Sequence, residues 1–146
     1  MLWQKSGIAR GLRLGNLLVV DGVNGSDGLQ DRKSGIPFRS LTYAKNASAS
    51  GDCIWVLAAT YTDNNLLKDG VNWEFESGAM VQWTASGVGN VVTNYGIFDD
   101  RAGAVSCKIA GKGTFKYTAS DTDPNSNGLF THKRSTRLAL HCQRSE

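Results

Sequence analysis

Pro37-Phe38-Arg39-Ser40-Leu41-Thr42-Tyr43-Ala44-Lys45-Asn46-Ala47-Ser48-Ala49-Ser50-Gly51-Asp52-Cys53-Ile54-Trp55-Val56 is the stretch on which the fold turns. In its first half Phe38, Leu41, Ala44 and Ala47 recur every third residue, which places them on one stripe of a helix. Ser40 supplies an N-cap oxygen and Gly51 a stop, so a helix of about two to three turns is expected over 41–49. From Cys53 onward the period changes, and the run 53–58 reads as a short strand.

Working outward, other short apolar runs occupy 17–20, 71–76, 79–83, 91–93, 104–109 and 114–118, separated by Gly, Asn, Asp or Ser. Several alternate. Val71, Trp73 and Phe75 oppose Asn72, Glu74 and Glu76; Val105, Cys107 and Ile109 oppose Ser106 and Lys108; Phe115 and Tyr117 oppose Lys116. A period of two means a strand with one face buried. Two-residue Asn-Gly or Asp-Gly turns between long equal strands are missing, Asp69-Gly70 coming nearest, so hairpins have little support. Leu17-Leu18-Val19-Val20-Asp21-Gly22-Val23-Asn24 resembles Leu66-Leu67-Lys68-Asp69-Gly70-Val71-Asn72, as two turns of a solenoid would, although chance also produces such pairs.

The chain has 146 residues, enough for one domain with its own core and too few for two. At 40% hydrophobic and 20% charged residues, with no apolar run near the roughly 20 residues of a membrane span, an acidic disordered chain and a membrane-spanning helix are both excluded. The formal net charge of +3 is terminal in origin. Lys5, Arg10 and Arg13 stand without acids in 1–14, and Lys133, Arg134, Arg137 and Arg144 stand against Glu146 in 132–146, so each end carries +3. The body between them holds nine basic and twelve acidic side chains, a net of −3, and offers no basic face for nucleic acid. The expected organisation is a basic extension over 1–16, a domain over 17–131 and a basic tail over 132–146. Cys53, Cys107 and Cys142 are too few and too scattered for a disulfide framework or a Cys-x-x-Cys metal site, and Cys53 and Cys107 read as small buried hydrophobes. Gly7, Arg10, Gly11, Arg13 and Gly15 interrupt any signal-peptide core.

The series Val20-Asp21, Asn24-Gly25-Ser26-Asp27, Pro37-Phe38-x-Ser40-Leu41-x-x-Ala44, Gly51-Asp52-x-Ile54-x-Val56 and Tyr61 resembles the opening of right-handed parallel β-helix proteins of the pectin lyase-like superfamily. The likeness covers roughly 19–118 and implies an all-β solenoid in which the helix at about 41–49 caps the open end of the coil. An amphipathic helix suits that task, since a first coil exposes unpaired backbone and an apolar end. Such sequences usually read Pro-Gly-x-Tyr before the tyrosine, where this one has Ala58-Ala59-Thr60-Tyr61. About three to five turns of roughly 20 to 25 residues would fit into 52–131, fewer than in catalytic members of the superfamily.

Candidates for chemistry are sparse. Asp99, Asp100 and Arg101 are the residue types that β-helix lyases and glycosidases gather: two carboxylates as acid and base, or as ligands for Ca²⁺ against an acidic sugar. The plainer reading is a turn of solvated charges, and adjacent strand residues point to opposite faces. Asn-Thr-Asp, Gly-His-Gly and Arg-Ile-Lys motifs of polygalacturonases do not occur. The two histidines, His132 and His141, both lie in the tail, which leaves a nucleophilic triad without support. Asp21 to Gly28 is rich in oxygen ligands but lacks the spacing of an EF-hand, and reads as a Gly-rich turn. Of the four tryptophans, Trp3, Trp55, Trp73 and Trp83, parity places Trp73 and Trp83 in the core. Lys112 and Lys116 are the candidates for carbohydrate binding.

Together these readings give three expectations. The first is a structural or receptor-binding module, similar to β-helix parts of phage tail spikes and fibres, forming a homotrimer on a virion or outside the cell and recognising a cell-surface polysaccharide, with no cofactor, nucleic acid or membrane span. The second is a lyase or hydrolase of acidic polysaccharide, the lyase being the one reading under which Ca²⁺ would serve as a cofactor. The third is an incomplete piece of a longer protein.

Overall fold

The computed structural model describes residues 15–28, 35–84, 97–99, 106–118, 130–131 and 138–140. In chain order the elements are β1 (Leu17–Val20), α1 (Leu41–Ala47), β2 (Cys53–Val56), β3 (Thr60–Tyr61), β4 (Asn72–Phe75), β5 (Met80–Thr84), β6 (Phe98–Asp99), β7 (Cys107–Gly111), β8 (Thr114–Thr118), β9 (Phe130–Thr131) and β10 (Leu138–Leu140). They form a five-stranded sheet in the order β1-β2-β4-β7-β10, a three-stranded sheet β3-β5-β8 and a two-stranded pair β6-β9. Every strand pairing is parallel.

Alternation decides which face of each strand is buried. In the five-stranded sheet Leu18, Ile54, Trp73 and Ile109 share one register row, with Val20, Val56 and Phe75 in the next, and all seven are buried. Residues of opposite parity, among them Trp55, Glu74 and Lys108, point away and are exposed. Phe75 from the first sheet, Phe98 from the pair and Phe115 from the three-stranded sheet meet edge to face, with centroids 4.9 Å apart for Phe75–Phe115 and 5.1 Å for Phe98–Phe115. One core therefore receives side chains from all three sheets, each large aliphatic or aromatic residue contributing about 1.5–3 kcal/mol by leaving water.

The helix begins after Ser40, whose hydroxyl accepts the Tyr43 N–H, and ends at Ala47, two residues short of the expected 41–49. Seven residues are too few for an isolated helix, and partners from outside it hold both ends. Asp63 accepts the Thr42 N–H at 3.2 Å and the Thr42 hydroxyl at 2.6 Å on Oδ1, while Asp27 Oδ1 accepts the N–H groups of Arg39 and Ser40. At the other end Lys68 Nζ donates to the carbonyls of Lys45 at 2.9 Å, Asn46 at 3.3 Å and Ser48 at 2.5 Å. Carboxylates at the N-terminus and an ammonium at the C-terminus complement the helix dipole.

The expected all-β, right-handed parallel β-helix is corrected. Among the described residues there is no closed solenoid; the strands lie in separate parallel sheets with one short helix, an α/β-like arrangement. The helix does not act simply as the cap of an open coil. It lies between β1 and β2 in sequence, packs against both, and so serves as the crossover that two adjacent parallel strands require. The expectation failed because period-two alternation reports a buried strand face and carries no information on whether successive strands close into a coil. The repeat of 17–24 in 66–72 has no structural counterpart either: Leu17 and Leu18 belong to β1, whereas Leu66 and Leu67 are buried in the connection between β3 and β4.

Candidate functional site

The three-stranded sheet presents a polar surface beside an aromatic ring. Register places Met80 beside Thr114, Gln82 beside Lys116 and Thr84 beside Thr118, while Val81 faces Phe115 and Trp83 faces Tyr117 on the other parity. Thr62 follows directly after β3, which pairs with β5 through Thr60–Met80 and Tyr61–Val81. A groove of about 330 Å³ runs here, lined by Thr62, Gln82, Trp83, Thr84, Lys116 and Thr118. Its chemistry is three hydroxyls, one carboxamide, one ammonium and the flank of an indole. Such a surface offers hydrogen-bond donors and acceptors and a flat apolar wall, and the described residues that line it include no carboxylate.

Trp83 shows how the end of a strand departs from simple parity. Sequence parity assigns it to the core, and it does pack against the core, yet it is only half-buried and its ring also borders the groove. Its Nε1 is buried without a hydrogen-bond partner among the described residues. Trp73, in contrast, is 1% exposed and stacked on Phe75 at 5.8 Å with an interplanar angle of 10°. Trp55 lies on the outer face of the five-stranded sheet.

The sequence-based candidates are dispersed. Lys116 enters the groove, whereas Lys112 sits on the exposed turn between β7 and β8, its N–H donated to the Phe75 carbonyl at 2.9 Å. Asp99 closes β6 and is registered with Thr131 of β9; Asp100 and Arg101 lie outside the described residues, as do His132, His141, Cys142, Trp3 and the charged residues of both ends, although Leu138–Leu140 within the expected tail forms β10 and pairs with β7. Cys107 is buried as expected, but Cys53 is only half-buried because it has the parity opposite to Ile54 and Val56.

The Asp21–Gly28 loop spends its carboxylates on the backbone. Asp21 Oδ1 accepts the N–H groups of Val23 at 2.9 Å and Asn24 at 3.0 Å, while Oδ2 accepts Asn24 Nδ2 at 3.1 Å. These bonds, led by the Asn24 N–H, hold the Asp21 carboxyl below its ordinary pKa. Asp27 is committed to the helix entry, as described above. Among the described residues no group of three or more His, Cys, Asp or Glu side chains is placed to hold a metal ion. No helix among them is long and apolar enough to cross a membrane.

Sequence reasoning missed Thr62, Gln82, Thr84 and Thr118. Their outward parity was legible in the alternation of 80–84 and 114–118, but their neighbourhood depends on β5 pairing with β8, which no local pattern encodes. Compared with known proteins, the chain matches no family model, no curated protein and no solved structure.

Proposed function

We propose that the chain is a binding module for polysaccharide and that the groove on the three-stranded sheet is its recognition surface. The observation that carries this reading is the lining itself: Thr62, Gln82, Thr84, Lys116 and Thr118 alternate hydroxyl, amide and ammonium groups beside the Trp83 ring. Sugars are recognised by such hydrogen-bonding side chains around an apolar wall, and an open groove admits a chain that a closed pocket would exclude. Among the described residues the lining holds no carboxylate pair of the kind that general acid and base cleavage of a sugar uses, and this favours binding. A tail-spike or fibre setting and a homotrimer rest on the β-helix resemblance alone, and the groove does not depend on them.

Affinity electrophoresis through gels containing neutral and acidic polysaccharides tests the reading. Retardation by at least one polysaccharide, weakened in both Lys116→Ala and Gln82→Ala, is the expected result. Free migration in every gel would overturn it. New reducing ends or unsaturated products from uronate polymers would instead restore the enzymatic reading.

A further inference from the structure

The loop after β1 contains a chemically labile pair whose glycine the fold cannot exchange. Asn24-Gly25 joins a side-chain amide to a residue with no Cβ to shield its backbone nitrogen, the dipeptide in which asparagine cyclises most readily. Glycine is not exchangeable at position 25, because a Cβ there would run into the carbonyl oxygens of Phe38 and Asp21. Asn24 itself is exposed, so water has access to it.

Asp21 restrains both reacting groups. Its backbone carbonyl accepts the Gly25 N–H at 2.8 Å, and its Oδ2 accepts Asn24 Nδ2 at 3.1 Å. We propose that Asn24 is a latent modification site, a spontaneous deamidation site that Asp21 holds shut. In the reaction the Gly25 nitrogen loses its proton and attacks Asn24 Cγ. A new N–Cγ bond forms, the Cγ–Nδ2 bond breaks, and Nδ2 leaves as ammonia, its third proton replacing through water the one lost from Gly25. Water then opens the succinimide at either carbonyl, giving aspartate or isoaspartate.

Within the folded loop the Gly25 N–H must first leave the Asp21 carbonyl, and the carboxamide must leave the Asp21 carboxylate, before nitrogen and Cγ can meet. The negative carboxylate also opposes formation of an amide anion beside it. The aspartate product sets a second carboxylate where Nδ2 had donated to Asp21, so repulsion replaces a hydrogen bond, and the isoaspartate product routes the main chain through Cγ; in either case the loop does not close as before. A transient opening is thereby converted into a permanent covalent mark.

The test is peptide mapping by mass spectrometry of the full chain held at mildly alkaline pH, beside the same chain unfolded in urea. Conversion at Asn24 is expected to be about tenfold or more slower in the folded chain, with protection measuring the rarity of local opening. Asp21→Ala is expected to lose most of that protection. Asp21→Asn, which keeps an acceptor oxygen but no charge, is expected to fall between the two and serves if Asp21→Ala does not fold, as judged by circular dichroism. Equal rates in the folded and unfolded wild type, or protection unchanged in Asp21→Asn, would overturn the proposal.

Discussion

The Asp52 carboxylate, fully buried, accepts the Ala49 N–H on Oδ2 at 2.7 Å and ties the exit of the helix to the entry of β2. Its other oxygen accepts the Asn16 N–H at 2.8 Å, just before β1. One side chain thus joins the helix exit to the starts of two paired parallel strands, and it lies where the chain leaves helical for extended geometry.

Asp52→Ala should therefore lower stability by about 2 kcal/mol, since charge-assisted bonds are strong and two part-buried donors would lose their acceptor. Urea denaturation followed by circular dichroism measures it. A loss below about 1 kcal/mol would mean that water replaces the carboxylate.

Lys68 and Lys45 form a second coupled pair. Burial, then the charge of Lys68, lowers the Lys45 pKa from the ordinary lysine value, against a smaller opposing effect of Asp63. Because the folded pKa is the lower one, stability from this group is complete above the ordinary lysine pKa and is lost as pH falls through the folded value. Lys68→Met should move the Lys45 titration upward in NMR. It should also cost about 1–2 kcal/mol by removing the donor from the last helical carbonyls.

Tyr61 behaves in the opposite sense. Its hydroxyl donates to the Leu57 carbonyl at 2.8 Å and accepts the Gly22 N–H at 3.1 Å, and burial is the main cause that raises its pKa. Its stabilising contribution is complete below the ordinary phenol pKa and is lost as pH rises through the higher folded value. Ultraviolet titration should show a late tyrosine phase that is lost in Tyr61→Phe. That variant should be less stable by about 1–2 kcal/mol.

Gly111 closes β7 at φ 108°, registered with Phe75, and a Cβ there would collide with the Phe75 backbone. Gly111→Ala should destabilise by more than about 2 kcal/mol, combining left-handed strain with displacement of a paired strand. A change in thermal midpoint of less than a degree or two would show that the β4–β7 junction yields easily.

Local features were legible because they depend on near neighbours. Ser40 as N-cap, the stripe of Leu41 and Ala44, and the inward parity of Val71, Trp73 and Phe75 follow from side-chain chemistry and a helical or extended period. The stop at Ala47, before the expected limit, was not legible. It depends on Lys68 reaching the last carbonyls and on Asp52 holding Ala49, both from beyond the helix. The groove was half legible: Lys116 stood out as an exposed cation, and its neighbours Gln82 and Thr62 did not.

By itself the sequence determined where β1, β2, β4, β5, β7, β8 and the start of the helix lie, which of their faces are apolar, and that the excess positive charge belongs to the two ends. Only the tertiary structure decided that the helix is a crossover between parallel strands, that β5 lies beside β8, and that Asp21 guards Asn24. The physical reason is range. Periodicity and capping are settled within a turn or two of chain, whereas parallel pairing joins residues whose separation is set by the length of the connections and by what the whole core can bury.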